Sequence, residues 1–214
     1  MRPRLLTLWS LLLAAAGCRP AEVRLACRTN ATPEELAGRP SPLDSIDFVV
    51  GEGQARVCYG RPAARGRVVF GGIVPYDTLW RTGANEPTML HLTVPAEIAG
   101  LAVPPGSYAL YTVPSPSAFR LIVNRSITQW GITADETGPD GRRYTSAYSD
   151  QVRRQEVGRA RVAADTIAFV EQLTMTAQAR DAATAELLID WETTRLRVPI
   201  RATGPAMGRA EAPR

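Results

Sequence analysis

The chain has no lysine and a single histidine. All 25 of its basic residues are arginine, set against 21 aspartates and glutamates. Arginine scattered in this way reads as solvating charge rather than a nucleic-acid surface, so no nucleic-acid partner is expected. One histidine and the two cysteines left once Cys18 is lipidated, as read below, make a structural zinc site implausible, and no metal or cofactor is expected. A Ser-His-acid triad would have to use His91, which lies mid-strand on the side opposite the apolar face. A surface or hydrogen-bonded imidazole is the plainer account of it. Gly-x-Ser-x-Gly, phosphate-loop and HExxH patterns are absent, so no established catalytic motif is present. No 3.6-residue period persists past the first residues, and no repeat or heptad appears, which excludes long helices and solenoids.

What is there fits one main domain with appendages: 214 residues, 45% of them hydrophobic. The 17 glycines and 17 prolines favour short elements joined by turns. Residues 1–17 read as an export signal. Arg2 and Arg4 precede an apolar run from Leu5 to Ala16, too short for the ~20 residues that span a bilayer. The run ends in Ala16-Gly17-Cys18, which resembles the lipobox of bacterial lipoproteins. That resemblance implies acylation of Cys18 and cleavage before it, although Ala15 fits the motif weakly. A plain secretory signal cut after Ala-x-Ala, or a buried helix, are the alternatives. Two or more acyl chains suffice for stable anchoring. The expected location is therefore the extracytoplasmic side of the cell envelope. Arg19 is not aspartate, which favours the outer membrane in a cell with two membranes. Loss of residues 1–17 removes two arginines and no acid, leaving 23 against 21 and a net charge of +2.

Residues 18–43 read as the lipidated cysteine and a tether, broken by Pro20, Pro33, Pro40 and Pro42. If fully flexible it would span about 28 Å. One short helix is expected at Pro33 to Ala37. Thr32 is its N-cap, Glu35 completes a capping box, and Gly38 stops it. Cys27 and Cys58 remain once Cys18 is acylated. In an oxidising compartment they can form a disulfide, the alternative being two free thiols.

From Asp44 the pattern alternates. Strands are expected at 45–50, 54–59, 67–74, 88–94, 107–113, 119–124, 159–163, 168–178, 184–191 and 195–201, with turns roughly every 8–12 residues. Gly71-Gly72 would make a bulge in the third. Residues 129–150 read as a long loop and 203–214 as a disordered tail. The fold class is all-β: an antiparallel β-sandwich or partly open barrel of about nine or ten short strands over residues 44–202.

The most informative stretch is Trp80-Arg81-Thr82-Gly83-Ala84-Asn85-Glu86. Trp80 can anchor a bend in the core, Gly83 can supply a positive φ, and Arg81 and Glu86 can pair or face a ligand. Arg61, after Tyr59-Gly60, would bring a second planar guanidinium suited to carboxylate, phosphate or sulfate. Tyr111, Asn124 and Trp130 are candidates to line the same cavity. The ligand-binding candidates are thus Tyr59, Arg61, Trp80, Arg81, Asn85, Glu86, Tyr111 and Asn124. The plainer readings are a structural ion pair closing the loop, and ordinary core and strand-end roles for the rest.

These segments also resemble, in order and spacing, the bacterial family called domain of unknown function 2911. The resemblance rests on Tyr59-Gly60-Arg61-Pro62, the Gly66 to Gly71 and Val74 to Glu86 stretches, Pro105 to Pro114 and Leu121-Ile122-Val123-Asn124, and covers about residues 41–201. Cys58 and an expanded 133–150 loop depart from it. Similar proteins are usually exported, often as lipoproteins; the resemblance implies no reaction and no catalytic residue. Three functions are weighed: binding of a small anionic or sugar-like ligand in the envelope, a structural or assembly role on another envelope protein, and a hydrolase using Glu86 as base.

Overall fold

The computed structural model describes residues 25–116, 118–128, 134–137, 143–145 and 148–205. The proposed signal, Cys18, Trp130 and most of the C-terminal tail lie outside them. The protein is all-β. Its strands are β1 (Leu43–Val50), β2 (Gly53–Gly60), β3 (Thr88–Leu92), β4 (Ala96–Ile98), β5 (Leu101–Val103), β6 (Gly106–Pro114) and β7 (Phe119–Asn124). Then come β8 (Ala134–Thr137), β9 (Arg143–Thr145), β10 (Glu156–Ala179) and β11 (Thr184–Ala202). Two short helices are α1 (Pro33–Ala37) and α2 (Asp150–Arg153).

Nine strands form one antiparallel sheet in the order β1-β2-β3-β6-β7-β10-β11-β4-β5, and β8 pairs with β9 apart from it. The sheet is folded over on itself without closing into a barrel. β10 carries it round the corner: residues 156–162 pair with β7 and 163–179 with β11. Register slips between Thr166 and Val170 and between Val170 and Thr174 let the strand bend there, with Glu192 opposite at φ 54. The two inner faces then meet, Val57, Leu90, Leu110 and Leu121 packing in one core with Leu187, Ile189, Val198 and Ile200.

Four short strands were expected where β10 and β11 stand. Polar residues at 165–166 and 192–194 look like turns in the sequence, but Asp165 and Thr166 pair regularly with Arg195 and Thr194, and the register slips beyond them, between Thr166 and Thr174 opposite residues 190–194. The run 67–74 is not a strand. Ile73 N donates to Val68 O and Val74 N to Val69 O, reversing the chain at Gly71, φ 86. A Cβ on Gly72 would lie 2.2 Å from the Val68 oxygen, so the two glycines make a tight reversal instead of a bulge. The β4–β5 hairpin has no obvious signal, because Ala99 (φ 49) stands where glycine or asparagine usually does, beside Gly100 (φ 84). The stretch expected to be one long loop contains β8, β9 and the start of α2.

Residues 25–42, within the expected tether, lie along the outside of the sheet as a strap. α1 forms with its capping box: Glu35 N donates to Thr32 Oγ1, and Thr32 N donates to the Glu35 carboxylate at 2.8 Å. A disulfide joins Cys27 to Cys58 of β2, Cα to Cα 5.5 Å. Arg56 donates to Leu25 O at 2.6 Å, Asn85 to Ser41 O at 3.0 Å, and Arg61 N to Pro42 O at 2.9 Å. His91 is buried on this outer face, its Nδ1 2.7 Å from Ser107 Oγ. Burial first, and the nearby Arg56 and Arg28 charges second, hold its pKa below the usual imidazole value.

Candidate functional site

Beyond the end of β3, residues 77–80 take its place beside β6. Trp80 N donates to Thr112 O at 2.7 Å, Thr112 N to Trp80 O at 2.8 Å, and Asp77 N to Pro114 O at 2.9 Å. This antiparallel bridge turns Trp80 into the core and leaves Leu79 and Arg81 on the outer face. Trp80 stacks on Trp191 at 5.6 Å and its Nε1 donates to Gly83 O at 3.1 Å. Its role is structural.

The bend that follows is built differently from the sequence expectation. Its positive φ angles belong to Thr82 (58°) and Asn85 (63°), not to Gly83. Gly83 is needed for close approach instead: a Cβ there would lie 3.0 Å from Thr88 Oγ1 and 3.2 Å from Gly60 O. A β-branched residue in the left-handed region is a local strain. Buried hydrogen bonds hold it: Thr88 Oγ1 donates to Thr82 O at 2.8 Å, and Thr82 Oγ1 to Thr112 Oγ1 at 3.2 Å.

The bend then delivers Glu86 to the strap. Its carboxylate accepts from Thr29 Oγ1 at 2.5 Å and from Arg39 Nη1 at 2.8 and 3.1 Å. Burial would raise the Glu86 pKa, but the bonds from Arg39 and Thr29 outweigh it and hold the group below its usual value. The expected pair of Glu86 with Arg81 is therefore not the one that forms.

Arg81 is left half-buried on the outer face. Among the described residues it has no ion pair, and its Nε is buried without an acceptor. Burial pulls its pKa down, opposed by the Glu86 charge. Tyr111 lies within electrostatic reach, 4% exposed, its hydroxyl also without a partner. Burial raises the Tyr111 pKa far above the usual phenol range, so it stays a neutral donor. Its ring meets that of Tyr148 edge-on at 4.8 Å. Tyr148 donates to Glu156 at 2.8 Å and accepts from Asn124 Nδ2 at 3.0 Å. Asn124 also donates to Val152 O and accepts from Ser126 N, so its amide is spent on holding the 125–152 segment. Leu79, Ala109, Val113 and Ile122 complete a small apolar cluster around the two tyrosines.

Tyr59 and Arg61 sit elsewhere. The Tyr59 hydroxyl accepts from Met175 N at 3.0 Å in the core. Arg61 donates to Leu173 O at 3.1 Å and pairs with Asp44 at 3.2 Å, stitching the start of β1 to β10. Only the backbone of this segment nears the bend, where a Cβ on Gly60 would lie 2.1 Å from Ala84 O. The expected single cluster is thus three: a core staple at Tyr59 and Arg61, a strap anchor at Asn85 and Glu86, and an open-handed donor pair at Arg81 and Tyr111. Sequence reasoning missed Arg39, Thr29 and Tyr148, whose contacts join segments far apart in the chain. Among the described residues no group of histidine, cysteine and acidic side chains could hold a metal ion, and no helix is long and apolar enough to cross a membrane.

The model of the family described as Protein of unknown function (DUF2911) matches residues 41–200. No curated protein and no solved structure matches the chain.

Proposed function

The chain belongs to the DUF2911 family, and on the geometry of its site we propose that the domain binds a small anionic ligand at Arg81. The observation that carries this reading is a half-buried guanidinium without a carboxylate, beside a buried phenol without an acceptor. Burying a charge unpaired is costly, and an anion arriving from solvent would remove that cost. Glu86 acts on Arg81 through its charge alone, its carboxylate being held by Arg39 and Thr29 with no ion pair to Arg81 among the described residues. Arg81, Arg39 and Glu86 together leave a local charge of +1, which favours a carboxylate, phosphate or sulfate. A hydrolase with Glu86 as base finds no support: its lowered pKa and its bonds to Arg39 and Thr29 make it a poor proton acceptor.

Thermal melting against phosphate, sulfate, citrate and glucuronate at fixed ionic strength tests the reading. At least one anion is expected to raise the melting temperature of the wild type. Arg81→Gln should fold and melt at least as high as wild type without ligand, since an unpaired buried charge is gone, and should lose that rise. Equal rises in both proteins would refute anion binding at Arg81.

The same reading places the domain at the extracytoplasmic face of the envelope, anchored through an acylated Cys18. Support comes from the short apolar run ending in Ala16-Gly17-Cys18, and from a Cys27–Cys58 disulfide that suits an oxidising compartment. The nine residues from Cys18 to Cys27 would reach at most about 30 Å. Cys18→Ser should abolish acyl labelling and release the protein from membranes. A wild-type protein carrying no lipid by mass spectrometry defeats the anchoring.

A further inference from the structure

The outer face that carries Tyr111 holds a second pair of arginines. Register sets Arg161 of β10 directly opposite Arg120 of β7, and Arg120 opposite Val113 of β6. Like charges facing each other across antiparallel strands repel, and this arrangement costs the free protein stability. The side chain of neither arginine makes a hydrogen bond or ion pair among the described residues. Both open on one groove, whose other walls include Asp77, Val113, Ser115 and Phe119. Asp77 is the acid of that groove and forms no ion pair with either, so the groove keeps a charge of +1.

Its position relates it to the first site. Tyr111 and Val113 are successive residues on the same face of β6, about 7 Å apart. Ile122 stands opposite Tyr111, and Arg120 opposite Val113. By strand rise and spacing, the Cα atoms of Arg120 and Arg161 lie about 8 and 12 Å from that of Tyr111. Arg81 flanks Tyr111 on the other side, through the bridge of Trp80 to Thr112.

We propose that Arg120 and Arg161 form a second anion subsite, and that the ligand is an elongated dianion with one end on Arg81 and the other on this pair. The proposal rests on the anion reading of Arg81 for the first end. The repulsion between the two guanidiniums is relieved when a phosphate-like or carboxylate group accepts from both, so a stability cost in the free protein becomes affinity in the complex. A ligand with a single anionic group can satisfy only one end.

Calorimetric titration of the full chain with hexane-1,6-bisphosphonate and with hexylphosphonate separates the two ideas. Wild type should bind the bisphosphonate about tenfold or more tighter, the gain of charge-assisted hydrogen bonds at the second end. Arg120→Gln/Arg161→Gln should lose that advantage, bringing the bisphosphonate down to the affinity of hexylphosphonate, and melt at or above the wild-type temperature. Arg161→Gln alone, at an exposed position, should lose most of the advantage and serves as the check on folding. Arg81→Gln should weaken both compounds. If the double variant keeps the wild-type preference while Arg81→Gln still weakens both compounds, the second subsite is refuted and the first reading stands. If Arg81→Gln weakens neither, the anion reading fails and the bridging dianion fails with it.

Discussion

Glu86→Gln is expected to lower the melting temperature by about 6–20 °C. The side chains of Arg39 and Glu86 are only 11% and 5% exposed, and they meet at 2.8 Å. Removing the carboxylate from so buried a pair costs about 3–5 kcal/mol. For a domain of this size each kcal/mol moves the midpoint by about 2–4 °C. Thr29 loses its strong acceptor in the same step. The pH dependence has a definite sign. Because folding lowers the Glu86 pKa, its contribution is complete above the unfolded value of about 4.3 and is lost as pH falls through the folded one. Wild type should therefore lose stability below about pH 4.3 more steeply than Glu86→Gln. A Glu86→Gln midpoint within experimental error of wild type at pH 7 would contradict this account of the strap.

Breaking the Cys27–Cys58 disulfide should cost about 3–4 kcal/mol, the chain-entropy value for a loop of this length. The two cysteines are 31 residues apart, and the loop they close contains α1, Arg39, the whole of β1 and β2 as far as Cys58. Cys27→Ser/Cys58→Ser should leave the sheet intact, since Cys58 contributes no side chain to the inner core. Amide exchange should speed up around residues 25–31 while β3, β6 and β7 stay protected. Its effect and that of Glu86→Gln should be less than additive, because both release the same strap. Full additivity would mean that the strap is held at independent points. Unchanged exchange around residues 25–31 would mean that the disulfide is not what fixes its start.

Much of this was legible from local pattern. The alternation in 43–60 and 106–124 is that of strands with one buried face, and the capping box at Thr32 and Glu35 fixed α1 to the residue. The disulfide followed from counting the cysteines left after Cys18. What was not legible depends on contacts across the chain. Nothing near Glu86 in sequence points to Arg39, 47 residues earlier. Asn124 looked like a cavity-lining side chain, yet its whole amide is spent on the following segment. Polar residues inside long strands imitate turns, because both interrupt apolar alternation, as at Asp165-Thr166, which is in regular register, and at Glu192-Thr193-Thr194, beside the register slip. The central heptapeptide was read as one polar cluster. Its arginine and its glutamate proved to serve different partners, because strand pairing at Trp80 and the left-handed Asn85 send them to different neighbours.

The central claim is that an anion from solution accepts hydrogen bonds from Arg81. The most direct measurement follows arginine Nε–H resonances by NMR during titration with inorganic phosphate, Arg81 being assigned from the peak missing in Arg81→Gln. The account predicts that this peak shifts downfield and saturates, before and beyond the peaks of exposed arginines such as Arg180. A peak for Arg81 that moves no more than those of the exposed arginines would contradict it.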